Sequence, residues 1–195
     1  RTLHTASLAA PALRAGLTRE SAERSIKHLH ALLGTPAIAL SDTADLLAWD
    51  GAGHHHAAQV PALATEALAR SGTQVVSRRE LPCAEGRQGS CAVRAAVISP
   101  LAVEDRVVGT LQVFGPYASA GLVRAADEVA RWVSGQLELA ELDTSRTRLM
   151  EAEVRALRAQ ISPHFVYNSL GAIASFVRTD PDRARELLLE FADFT

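Results

Sequence analysis

From Ala118 to about Gln160 the apolar spacing is helical and no proline intervenes. At 1.5 Å per residue such a helix is on the order of 65 Å long, too long for a simple core helix. A chain with this element folds as a globule before it and a helical assembly at its end. Glu138–Glu153 is rich in charge, which predicts that the helix leaves the globule there. Met150, Val154, Leu157 and Ile161 follow at 4-3-4 spacing, the period of a coiled coil. Two chains meeting along that seam is the economical explanation, with an intramolecular partner as the alternative.

Pro163 removes one backbone hydrogen bond and is expected to kink or break the helix. The period then resumes in a new phase. Val166, Leu170, Ile173 and Val177 form an apolar stripe, and His164, Asn168, Gly171 and Ser175 form a polar or small one. Arg178-Thr179-Asp180-Pro181 ends this helix, and Asp180 with Pro181 makes an N-cap and N1 pair for the next. On that last helix Ala184, Leu187, Leu188, Phe191 and Phe194 are expected to face inward. The short connection implies an antiparallel helical hairpin.

The first two-thirds of the chain read as mixed α and β. Ala22, Ile26, Leu29 and Leu33 mark a helix over Thr18–Leu33, stopped by Gly34 and Pro36. Pro36–Leu40 and Leu46–Trp49 are strands around a polar turn, and Gly51–His56 reads as a loop. Val60, Leu63, Ala64, Ala67 and Leu68 mark a second helix. Gln74–Val76 is a short strand, Leu81–Ser90 a loop, and Val93–Ile98 and Arg106–Phe114 the two strongest strands, with a turn at Val103-Glu104-Asp105. The expected core includes Ile26, Leu29, Leu40, Val97, Leu111 and Val113. Trp49 and Trp132 are expected to pack against core or helix contacts.

Composition narrows the function. Apolar residues make up 48% of the 195, enough for a packed globule. The net charge of −2 offers no basic field for nucleic acid or anionic lipid. No apolar run approaches the roughly 18 residues of a spanning helix, and no signal peptide is visible. Two cysteines do not make a secreted disulfide framework, so these features together point to a reduced, cytoplasmic protein.

The most specific motif is Gln160-Ile161-Ser162-Pro163-His164-Phe165-Val166-Tyr167-Asn168-Ser169-Leu170. It resembles the phosphoacceptor box of LytS-type sensor histidine kinases: a Gln, two residues, Pro-His-Phe, two more, then Asn-Ser/Ala-Leu. Ser162 stands where that family mostly has Asn, and Gly171 where another Asn is common. The order helix, two strands, helix, three strands, long helix is also that of a GAF domain. Gly53-His54-His55, the Cys83–Cys91 loop, Pro100-Leu101 and Val108-Gly109-Thr110-Leu111 resemble elements of the GAF region in those kinases. The resemblance covers about Leu33 to Thr195.

It implies an α+β architecture in four parts: an N-terminal linker or helix over 1–17, a GAF-like sensor domain with an antiparallel sheet over 18–136, a signalling coiled-coil helix over 137–160, and a dimerisation and phosphoacceptor hairpin over 161–195. It implies that His164 accepts the γ-phosphoryl group of ATP and passes it to an aspartate of a response regulator, often of LytTR type. An imidazole suits this because it is mostly neutral near pH 7. Asn168, one turn on, can orient the ring but cannot take its proton, so a general base must come from elsewhere. The sequence shows no nucleotide-binding motif. ATP and Mg would therefore be bound outside this chain, which alone would be inactive. The implied parent is a homodimeric, membrane-anchored bacterial protein of which this is a cytoplasmic portion.

His54, His55, His56, Cys83 and Cys91 are ligand types suited to zinc, copper or iron. In a GAF topology both loops reach the same open face of the sheet, which makes His54, His55, Cys83 and Cys91 a candidate metal set. Seven residues between the cysteines is no standard zinc spacing, so a Cys83–Cys91 redox pair and two unconnected structural cysteines stay open. Two other functions compete with the kinase reading. One is a small-molecule GAF binding module without a kinase role. The other is a thiol enzyme like the GAF-fold family that reduces free methionine sulfoxide.

Overall fold

The computed structural model describes residues 2–70, 72–83, 91–160 and 163–194. Helices α1 (Thr2–Leu13) and α2 (Arg19–Leu33) lead into strands β1 (Ala37–Ser41) and β2 (Leu46–Gly51). A 3₁₀ helix (His54–Gln59), helix α3 (Val60–Arg70) and strands β3 (Gln74–Val76), β4 (Ala95–Val103) and β5 (Arg106–Gly115) follow. The chain ends in three helices, α4 (Ala120–Gln160), α5 (Pro163–Phe176) and α6 (Pro181–Phe194). Contacts divide it into two compact units, residues 1–144 and 145–195.

Unit 1 is built on one antiparallel sheet of order β2-β1-β5-β4-β3. The register explains its two cores. Ile38 lies opposite Val113, Leu40 opposite Leu111, and Val97 opposite Val113, so these side chains share one face. That face is covered by Ala9 and Leu13 of α1, Ala22, Ile26 and Leu29 of α2, and Ala126, Val129, Ala130, Val133 and Leu137 of α4. The opposite face carries Ala37, Ala39, Ala96, Ile98 and Phe114 under Val60, Leu63 and Ala67 of α3. All six core residues expected from the sequence are buried. Trp49 packs on Phe114, with ring centroids 4.7 Å apart. Trp132 packs against the α2–α4 side.

Local chemistry sets the element ends. Thr18 and Ser21 cap α2 reciprocally, and Gly34 closes it in the left-handed region at φ 62°. The β4–β5 hairpin turns on Glu104 and Asp105, both at positive φ. Pro100 is tolerated in β4 because β3 pairs only with Ala96–Ile98. The register shifts after Leu101, and the Ala102 amide donates instead to Ser134 Oγ on α4 at 3.0 Å.

Two stretches differ from the sequence expectation. The segment after Gly51 is a 3₁₀ helix rather than a loop, entered through Gly53 at φ 68°. A Cβ at Gly53 would come within 2.9 Å of Val93 Cγ2, so only glycine lets the two segments meet this closely. The expected loop over 81–90 lies mostly outside the described residues, as does Ile161 of the predicted seam.

In α4, buried positions end at Ala140 and residues 141–157 are all exposed. Met150, Val154 and Leu157 are 62%, 47% and 57% exposed. In unit 2, α5 and α6 pair as a hairpin. Asp180 caps α6 by accepting from the Arg183 amide at 3.1 Å. Ile173 and Ala184 are buried, and the Phe165 and Phe191 rings lie 6.5 Å apart. The face of α5 that meets α6 therefore runs through Phe165, Ser169, Ala172 and Ile173. The expected stripe shares only Ile173 with it: Leu170 and Val177 are exposed, and so is Leu188 on α6. An i, i+3, i+4 pattern marks an apolar stripe but not which partner covers it.

Candidate functional site

The two sets of chemistry-bearing residues fall in different units. In unit 2, α5 begins at Pro163, where a missing N–H costs nothing because the first amides of a helix have no intrahelical acceptor. His164 follows in the first turn and is exposed. Asn168, one turn on, places Nδ2 3.0 Å from His164 Nδ1 and so fixes the ring plane. The contact engages Nδ1, so Nε2 is the ring nitrogen that Asn168 does not hold. Gly171 and Ser175 continue this exposed face, and a Cβ at Gly171 would meet nothing within 4 Å. Tyr167, 77% exposed, borders it, a residue that stripe counting passes over. The unpaired amides of the first turn favour negative charge beside His164.

In unit 1, the 3₁₀ helix and the segments flanking residues 84–90 bring together His55, His56, Cys83 and Cys91. One ligand atom from each lies within 4.8 Å of all the others. His55 Nε2 is 3.2 Å from Cys83 Sγ and 3.6 Å from Cys91 Sγ. His56 Nε2 is 3.5 Å from Cys91 Sγ. No disulfide joins the cysteines. His54 lies apart from this group, with its ring edge-on to Trp49 at 6.0 Å between centroids. His56 takes its place and is fully buried. By sequence His56 is a suitable ligand type, but the candidate set took His54 and His55. In a 3₁₀ helix consecutive side chains fan out by about a third of a turn, so only two of three can face one point.

The sheet and its helices are those of a GAF domain. The phycoerythrobilin-bound GAF domain of a cyanobacterial phytochrome is similar at 14% identity and a TM-score of 0.51, over 73% of this chain and 97% of that one. The free methionine-R-sulfoxide reductase of Neisseria meningitidis in complex with its substrate is similar at 15% identity and a TM-score of 0.52, over 73% and 89%. At these identities the likeness is one of fold alone. Residues 152–195 match the Histidine kinase family.

Nearly the whole chain is also similar to LytS proteins. It is 32% identical to "Sensor protein LytS" of Bacillus subtilis over 98% of this chain. It is 33% identical to "Sensor histidine kinase/phosphatase LytS" of Staphylococcus aureus over 94%. It spans about one third of the length of the curated relatives it matches. The chain thus resembles the LytS proteins as a GAF domain followed by the start of the histidine kinase region.

Proposed function

We propose that this chain is the sensory and phosphoacceptor portion of a two-component histidine kinase, with His164 as the acceptor. The observation that carries the reading is the exposed His164–Asn168 pair within the stretch that matches the Histidine kinase family. A separate ATP-binding domain of the full-length protein holds ATP and Mg²⁺. The lone pair on Nε2 attacks the γ-phosphorus, the β–γ phosphate bond breaks, and ADP departs. Asn168 orients the ring but cannot take its proton, so a base outside this pair accepts the proton that the phosphorylated ring sheds. The phosphoryl group then passes to a response-regulator aspartate, the regulator being of LytTR type, and the ring regains its proton. The flat face of His164, Asn168, Gly171 and Ser175 gives the ATP-binding domain access.

The exposed apolar residues Met150, Val154 and Leu157 support a homodimer seam on α4. The parent protein is anchored in the membrane, although among the described residues no helix is long and apolar enough to cross one. In the full-length kinase, His164→Gln abolishes incorporation of acid-labile phosphate from ATP. Asn168→Ala lowers the rate without removing the acceptor, and His54→Gln leaves it unchanged. Wild-type labelling of the His164→Gln protein would sink the reading. It would favour a GAF binding module whose helices serve only dimerisation.

A further inference from the structure

The cluster in unit 1 has the dimensions of a closed metal site. A tetrahedral zinc with sulfur at about 2.3 Å and nitrogen at about 2.0–2.1 Å has ligand-to-ligand edges of about 3.3–3.8 Å. The measured nitrogen–sulfur separations are 3.2, 3.5 and 3.6 Å, and all four ligand atoms lie within 4.8 Å. We infer that His55, His56, Cys83 and Cys91 form a four-ligand zinc site, both histidines binding through Nε2.

The surrounding bonds suit that role. His56 Nδ1 lies 3.3 Å from Gln59 Oε1, which accepts its N–H and leaves the Nε2 lone pair directed at the cluster. Gln59 Nε2 in turn donates to the Pro82 carbonyl, beside Cys83, at 2.5 Å. The Val93 amide lies 3.4 Å from Cys91 Sγ, an N–H···S contact that stabilises a thiolate. Two imidazoles and two thiolates are a borderline-to-soft set, which favours zinc over the hard cations magnesium and calcium. Binding releases two thiol protons to solvent and leaves the site neutral overall. Four protein ligands fill the tetrahedron, so the ion is structural, not hydrolytic. It ties the 3₁₀ helix to the chain on both sides of residues 84–90. Spacing hides this site, because one histidine pair supplies adjacent ligands and the cysteines are far apart for a zinc motif.

The full chain, purified without a histidine tag, tests this. Elemental analysis is expected to find zinc in stoichiometric amount. Cobalt replacing it is expected to give an intense tetrahedral d–d envelope and a thiolate-to-cobalt band. Cys83→Ser and Cys91→Ser should each lose that band. His54→Gln should keep it. Gln59→Ala should weaken zinc binding by about 10–100-fold with the band retained, the mark of a positioning residue. A chelator should lower the melting temperature of the wild type but not of Cys83→Ser, which separates metal loss from misfolding. Zinc retained at wild-type stoichiometry in both cysteine variants would overturn the site. So would a reduced protein that takes up no cobalt and forms a Cys83–Cys91 disulfide on oxidation.

Discussion

Replacing Val154 and Leu157 by glutamate should dissociate the proposed dimer, and the structure sets the scale. Both side chains stand about half exposed on the stretch of α4 where no residue from 141 to 157 is buried. A side chain of this size contributes about 2 kcal/mol when fully covered. Only the exposed half of each side chain remains to be covered, and a two-fold seam carries each position twice, so the double variant removes about 4 kcal/mol of apolar contact by that same measure. At about 1.4 kcal/mol per decade this weakens association by roughly three orders of magnitude. Burying four carboxylates would add to the loss. Sedimentation velocity across a concentration series should show a monomer for the double variant and a dimer for the wild type. The exposed residues Glu151 and Glu153 supply a control: lysine at both should leave the dimer in place. A double glutamate variant that sediments as the wild-type dimer would refute the seam. The contact would then belong to the exposed Leu170, Val177 and Leu188 of the hairpin.

Gly109→Ala should destabilise unit 1 by about 1–3 kcal/mol in urea melts, because its Cβ would stand 2.2 Å from the Ser41 carbonyl oxygen. Gly135→Ala, inside α4 with nothing within 4 Å, should instead stabilise by up to about 1 kcal/mol. Replacing Glu104-Asp105 with Asn-Gly should raise the melting midpoint by relieving two positive-φ residues, a gain of about 1 kcal/mol or more. His30→Ala should cost about 1–3 kcal/mol by thermal melt. It removes the ring that sits 2.6 Å from Asp50 Oδ2 and 2.5 Å from the Thr35 carbonyl oxygen.

What the sequence revealed and what it hid divide along a physical line. The sheet was legible because its strands are short apolar runs bounded by turn residues: both faces are buried, and Leu40, Val97, Leu111 and Val113 lie on the one that α2 and α4 cover. The His164–Asn168 contact was legible because i, i+4 spacing on a helix fixes a distance whatever the rest of the molecule does. The His/Cys cluster depends on three segments meeting over the α3 side of the sheet. Their meeting turns on the positive φ of Gly53 and its close approach to Val93. Spacing could nominate His55, Cys83 and Cys91 as ligand types. It could not choose between His54 and His56, because that choice is made by which of them the 3₁₀ helix packs inward: His56 is buried and His54 is exposed. Burial in the hairpin was misjudged for a related reason. Leu170 and Ile173 read as one stripe, yet α6 buries Ile173 and leaves Leu170 exposed. An apolar side chain left outside that contact is information about a partner, and here it marks the surfaces on which the proposed dimer and the proposed ATP-binding domain are to be sought.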